Sequence, residues 1–127
     1  MTIKTFEQIL GFKHYAEWRQ KNGFNTKLDY AINKVLKRLN KVCLDKWKGL
    51  ITDIETDYAS VNEKGNLIIE NNIYSYTPHN TKKMREAKLA LLNEWENKEF
   101  EFEPHILKEV DEDLNEEEKE VLTGFVL

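Results

Sequence analysis

A chain of 127 residues with 33% charged and 40% hydrophobic residues and a net charge of −4 is long enough for one core. It is too short for a core plus an elaborate enclosed active site. The single cysteine, Cys43, excludes an intramolecular disulfide and points to a reducing compartment. The opening Met-Thr-Ile-Lys-Thr-Phe-Glu has no basic stretch leading into an apolar run, and no window nears the roughly 18 apolar residues of a spanning helix. A cytoplasmic protein without membrane contact is expected.

The net charge hides an asymmetry. Residues 1–50 hold eleven Lys and Arg against four Asp and Glu, whereas residues 51–127 hold eight against nineteen. Either the two halves neutralise each other, within one molecule or between copies, or they face solvent or a charged partner.

Residues 3–22 read as a helix opened by Thr5 as N-cap and stopped by Gly23. This segment and its exit hold Phe6, Phe12, Tyr15, Trp18 and Phe24, whose spacing does not fall on one face. The helix therefore either breaks near Gly11 or is covered on two sides. The aromatics are read either as packing over the hairpin described next or as a partner-binding set, because exposed aromatics mark interfaces.

From a cap at Asn25 or Thr26 to about Asp57, Leu28, Ile32, Leu39, Cys43, Leu50 and Ile54 recur at helical spacing, with Val35 and Val42 widening the face. This predicts one long amphipathic helix with an eleven-residue repeat. Gly49 inside it suggests a local irregularity or a close backbone approach. The opposite side carries Lys27, Lys34, Lys37, Arg38, Lys41 and Lys48, within an arc of about 100° if the helix is uniform.

Asn62 to Asn66 reads as a turn, and Leu67-Ile68-Ile69 with Ile73-Tyr74-Ser75-Tyr76 as a β-hairpin. Phe100-Glu101-Phe102-Glu103 offers a third strand ended by Pro104. Between them Thr77-Pro78 starts a helix running to about Lys98, with Met84, Ala87, Leu91, Leu92 and Trp95 facing the long helix. Asn115 with Glu118 opens a short helix that ends near Thr123-Gly124. The apolar Phe125-Val126-Leu127 should be docked, on this chain or on a partner.

Chemical motifs are sparse. His14, His79 and His105 match no metal-ligand spacing, and the five glycines are scattered singly, so neither a zinc site nor a phosphate loop is indicated. Cys43 lies on the apolar stripe, and neither it nor Ser60 has a base placed beside it. Asp53, Glu55, Asp57 and Glu63 alternate across different faces, as solvated carboxylates do. No catalytic residue, cofactor, metal or small-molecule substrate is expected. Only the lysine-rich face carries a binding logic, a salt-sensitive contact to phosphates.

The long helix, the Ala59-Ser60-Val61-Asn62-Glu63-Lys64-Gly65-Asn66-Leu67 turn, the Tyr76-Thr77 helix start, Lys98-Glu99-Phe100-Glu101-Phe102-Glu103-Pro104 and the closing Leu122-Thr123-Gly124-Phe125-Val126-Leu127 resemble small uncharacterised bacteriophage and prophage proteins. The resemblance spans residues 26–127, carries no catalytic signature and transfers no site residues. It implies a phage accessory role of the binding or assembly kind, in host cytoplasm or virion. Two antiparallel helices around a β tip are also similar in layout to prefoldin subunits.

The expected fold is α+β, mainly α, in a single domain. An aromatic N-terminal helix (residues 1–24) precedes an antiparallel helical hairpin with a small β-hairpin at its tip (25–99), followed by a strand and an acidic C-terminal helix (100–127). The expected function is non-enzymatic protein binding or assembly, by self-association or a protein partner, through Phe6, Phe12, Tyr15, Trp18 and Phe125. The alternative is nucleic-acid binding through Lys27, Lys34, Lys37, Arg38, Lys41 and Lys48.

Overall fold

A computed structural model describes residues 1–127 and shows a mainly helical α+β fold. The chain groups into two compact units, Met1–Leu44 with Glu96–Leu127, and Asp45–Trp95.

In the first unit, strand β1 (Thr2–Thr5) leads directly into helix α1 (Phe6–Lys21). Thr5 caps the helix reciprocally with Gln8, and the chain leaves it through Gly23 at φ +76°. The helix runs unbroken through Gly11. Phe6, Ile9, Phe12, Ala16 and Arg19 are its buried residues, and at 100° per residue they span an arc of about 140°. The face is hard to see in sequence because its last member is charged.

Helix α2 (Lys27–Leu39) opens at Thr26, boxed with Asp29, and packs on α1 with Leu28, Ala31, Ile32, Val35 and Leu39 buried. The helical run continues to Tyr58, close to the expected end at about Asp57, but it is not uniform. Asn40–Leu44 form a π turn, in which one extra residue per turn breaks the 100° spacing. Cys43 and the adjacent Leu44 are both buried as a result, while Val42 is 40% exposed and leaves the stripe. The irregularity suggested by Gly49 therefore lies earlier in the chain, and nothing comes within 4 Å of a Cβ built on Gly49.

The π turn lies against strand β4 (Glu99–Phe102), which pairs antiparallel with β1, Thr2 opposite Phe102 and Thr5 opposite Glu99. The Phe100–Glu103 segment thus joins the N-terminus and not the hairpin. Phe6 and Glu7 extend this pairing by donating to the carbonyls of Lys98 and Glu96. Helix α5 (Glu116–Leu122) begins at the Asn115–Glu118 capping box. Phe125 and Val126 are docked on the same unit, with backbone bonds from His105 and Leu107 to their carbonyls.

The second unit is the helical hairpin. Helix α3 (Asp45–Tyr58) runs antiparallel to helix α4 (Pro78–Trp95), with Trp47 against Trp95 at 5.5 Å between ring centroids and Glu55 against Lys88 at 3.1 Å. The Tyr76 hydroxyl donates to the Glu55 carbonyl at 2.9 Å, and the Thr77 hydroxyl accepts from Asn80 N at 3.1 Å at the start of α4. The tip is the short antiparallel pair β2 (Ile69–Glu70) and β3 (Ile73–Tyr74). Asn71 and Asn72, at φ 51° and 64°, form the left-handed turn that suits strand twist. Support for this pair comes from Ser60 and Val61, through Ser60 N to Ser75 O, Ile68 N to Ser60 O and the Val61–Leu67 bridge. Trp95 is the only buried residue of this unit; Leu50, Ile54, Met84, Leu91 and Leu92 stay half-buried.

The π turn makes a sharp test. Leu44→Asp should destabilise the protein by about 4 kcal/mol or more, whereas Val42→Asp should stay within about 0.5 kcal/mol of the parent in urea melts. A uniform helix would bury Val42, so a large loss from Val42→Asp would contradict the structure.

Candidate interaction surface

Arg19 is only 2% exposed, in the last turn of α1. Its Nε donates to Asp29 Oδ1 at 2.6 Å and its Nη2 to Asp29 Oδ2 at 3.1 Å, a two-pronged bond joining α1 to α2. Nη2 also donates to Glu112 Oε1 at 2.7 Å, and Nη1 to the Tyr15 hydroxyl at 3.2 Å. Tyr15 in turn donates to Glu118. The Thr26 hydroxyl lies 2.8 Å from Asp29 Oδ2 and 3.0 Å from Glu112 Oε2. One guanidinium thus holds α1, the start of α2 and the acidic segment before α5 together, with no buried side-chain polar atom left unpaired.

The protonation states follow from this geometry. The Asp29 hydrogen bonds outweigh burial and push Arg19 further up, so it stays charged. For Asp29, burial pushes the carboxyl up, but the bonds from Arg19 and Thr26 win and hold it below the usual range. Glu118 is also lowered, chiefly by the Tyr15 hydroxyl and then by the Asn115 backbone. Tyr15 is raised, by burial first and by Glu118 second.

Around this clamp the aromatics form a shelf. The Tyr15 and Trp18 rings lie 5.8 Å apart at 24°, and Trp18 and Phe24 5.7 Å apart at 33°. The Arg19 guanidinium sits 4.5 Å from the Phe24 centroid and 5.8 Å from that of Tyr15. Its charge is satisfied by carboxylates while its plane supports the rings. Trp18 remains 50% exposed and Phe24 42%.

The five residues expected to bind a partner separate accordingly. Phe6, Phe12 and Phe125 are 0 to 1% exposed and cannot reach one. Phe125 stacks on Phe12 at 4.3 Å and on Phe102 at 5.2 Å, and Phe6 meets Phe100 edge-on at 6.0 Å. These aromatics pack on the C-terminal residues and β4, because β1–β4 pairing brings those elements onto α1. Tyr15 is half-buried and Trp18 exposed, so these two remain available, with Phe24 beside them. Arg19 escaped sequence reading; the spacing Phe6, Ile9, Phe12, Ala16, Arg19 was the sign that a charged residue completes a buried face.

The basic face also changes. Arg38 donates to the carbonyls of Glu103 and Pro104, each at 3.1 Å, and Lys48 belongs to the second unit. Lys27, Lys34, Lys37 and Lys41 are exposed and enter no ion pair. Lys34 and Lys37 border a groove of about 640 Å³ with Gln20, Tyr30 and Leu36.

Elsewhere, burial pushes the Cys43 thiol up to about 11, an unreactive state at neutral pH. No three His, Cys, Asp or Glu side chains converge as metal ligands, and Glu55 is paired with Lys88. No helix is long and apolar enough to cross a membrane. The chain gives no significant match to any family model, curated protein or solved structure.

Breaking the clamp has a calculable cost. Arg19→Met leaves Asp29 without its counter-charge and should cost about 3–5 kcal/mol in urea melts. The folded Asp29 and Glu118 titrate below their unfolded values, so their stabilisation is present above about pH 4 and is lost as pH falls through the lower folded values. Asp29→Asn should flatten that acid limb; an unchanged acid limb would remove Asp29 from the account.

Proposed function

We propose that this chain is a non-enzymatic protein-binding or assembly protein whose working surface is the Tyr15–Trp18–Phe24 shelf. The carrying observation is that Trp18 and Phe24 stand half in water while Trp18 stacks on Tyr15, Phe24 packs tilted against Trp18, and the buried Arg19 lies against the Tyr15 and Phe24 rings. Trp, Tyr and Arg in such a setting have the composition of a binding hot spot, and ordering them in advance lowers the entropy cost of binding. The half-buried apolar residues of the helical hairpin favour the same class of function, because they offer a second surface for a partner to cover. The setting we propose is phage or prophage, as a structural, assembly or host-modulating factor in host cytoplasm or virion; the pattern resemblance over residues 26–127 supports it.

The second reading, nucleic-acid binding, is favoured by Lys27, Lys34, Lys37 and Lys41, which are exposed and enter no ion pair. It predicts affinity for any duplex that falls steeply with salt.

A photo-reactive phenylalanine derivative at position 18, irradiated in bacterial host cells, should give a small number of discrete protein adducts. Unlabelled wild-type chain should compete them away, and the Trp18→Ala, Phe24→Ala variant should not. Adducts no stronger than those from the exposed position Glu7 would sink the shelf as a binding surface.

A further inference from the structure

The first unit carries opposite charges that its own ion pairs neutralise only in part. Residues 1–44 hold nine Lys and Arg against three Asp and Glu, and residues 96–127 hold three against twelve. Arg19 takes one carboxylate of the acidic segment, Glu112, and Arg38 is committed to backbone carbonyls. Lys34, Lys37 and Lys41 are exposed and enter no ion pair, the Lys34 ammonium lying 5.9 Å from the Tyr30 ring centroid. Lys34 and Lys37 lie one turn apart on α2 and line a groove with Tyr30 and Leu36, and Lys41 follows in the π turn.

The complementary feature is a held row of carboxylates. In the irregular segment before α5, Glu109, Asp111 and Asp113 are exposed and alternate with half-buried Val110, Glu112 and Leu114. Glu112 is drawn inward by Arg19 and Thr26, which leaves its neighbours facing out. None of the three outward acids makes an ion pair within the chain. Glu109 and Asp111 line a groove with Lys27, yet these three anions and the three cations of α2 and its π turn enter no ion pair within one copy.

We propose that the α2 face is a docking site for a second copy of this chain, whose Glu109, Asp111 and Asp113 lie along Lys34, Lys37 and Lys41. This deepens the protein-binding reading and rests on it, but uses a surface other than the Trp18 shelf. Single exposed ion pairs contribute little, so the contact depends on several acting together and is weakened by salt. Because one patch meets a different patch, the association is head-to-tail and can build rings or open chains unless it closes reciprocally.

The test is sedimentation velocity on the full chain at about 50 mM and about 500 mM salt, on either side of strong screening. Wild type should associate at low salt and fall to monomer at high salt. The variant Lys34→Glu, Lys37→Glu, Lys41→Glu and the variant Glu109→Lys, Asp111→Lys, Asp113→Lys should each be monomeric alone, with unchanged circular dichroism. Mixed in equal amounts, they should re-form the complex. Self-affinity of each variant should drop by at least about tenfold. A wild type that stays monomeric at low salt, association unmoved by either variant, or a mixture that fails to assemble would each overturn the proposal. So would low-salt uptake of a DNA duplex on the α2 face in place of self-association. If the mixture fails while adducts at position 18 persist, only this proposal falls; if the adducts are also absent, the protein-binding reading falls with it.

Discussion

The first unit closes around the ring of Phe125, which lies between Phe12 of α1 and Phe102 of β4, with the Lys4 ammonium 5.5 Å from its centroid. Burying such a ring contributes about 1.5–3 kcal/mol, and stacking adds to it. The approach favours Gly124 through its φ of +86°, a left-handed conformation that strains other residues, whereas the end of the Lys4 side chain, 2.6 Å from where a Cβ would sit, can swing aside. With Phe125 seated, the His105 and Leu107 backbones bond the same residues, and the acidic segment is led back to α1 and α2. Arg19 is desolvated in that setting, and its carboxylate partners make the desolvation tolerable.

The shelf follows from the clamp. A guanidinium fixed by Asp29 and Glu112 cannot move toward solvent, so the rings of Tyr15 and Phe24 have a rigid plane to lean on. Trp18 extends the stack outward into water. The charged interior and the aromatic exterior are two sides of the same residue placement on the last turns of α1.

Local interactions were the legible part of this fold. Thr5, Thr26 and Asn115 each announce a helix within three residues of themselves, Gly23 and Gly124 mark ends, and the β-branched runs around Asn71-Asn72 mark a hairpin. What sequence reading missed depends on distant partners. Thr2–Thr5 becomes a strand only because Glu99–Phe102 lies beside it, and a helical reading of residues 3–22 absorbed it. The π turn at Asn40–Leu44 buries two consecutive residues against β4, which no uniform periodicity anticipates. Of the five aromatics read as partner-binding, Phe6, Phe12 and Phe125 belong to the core while Tyr15 is half-buried and Trp18 exposed, because aromatic density alone does not tell a core from an interface.

The buried Arg19 guanidinium lies against the Tyr15 and Phe24 rings and so holds the shelf from within. Nitrogen-15 relaxation of the Trp18 indole, with the paired Trp47 and Trp95 as internal references, reads that rigidity directly. The account predicts an indole order parameter for Trp18 near the rigid-backbone value of about 0.85 despite its exposure. A value below about 0.6 would mean a freely moving ring and would contradict it.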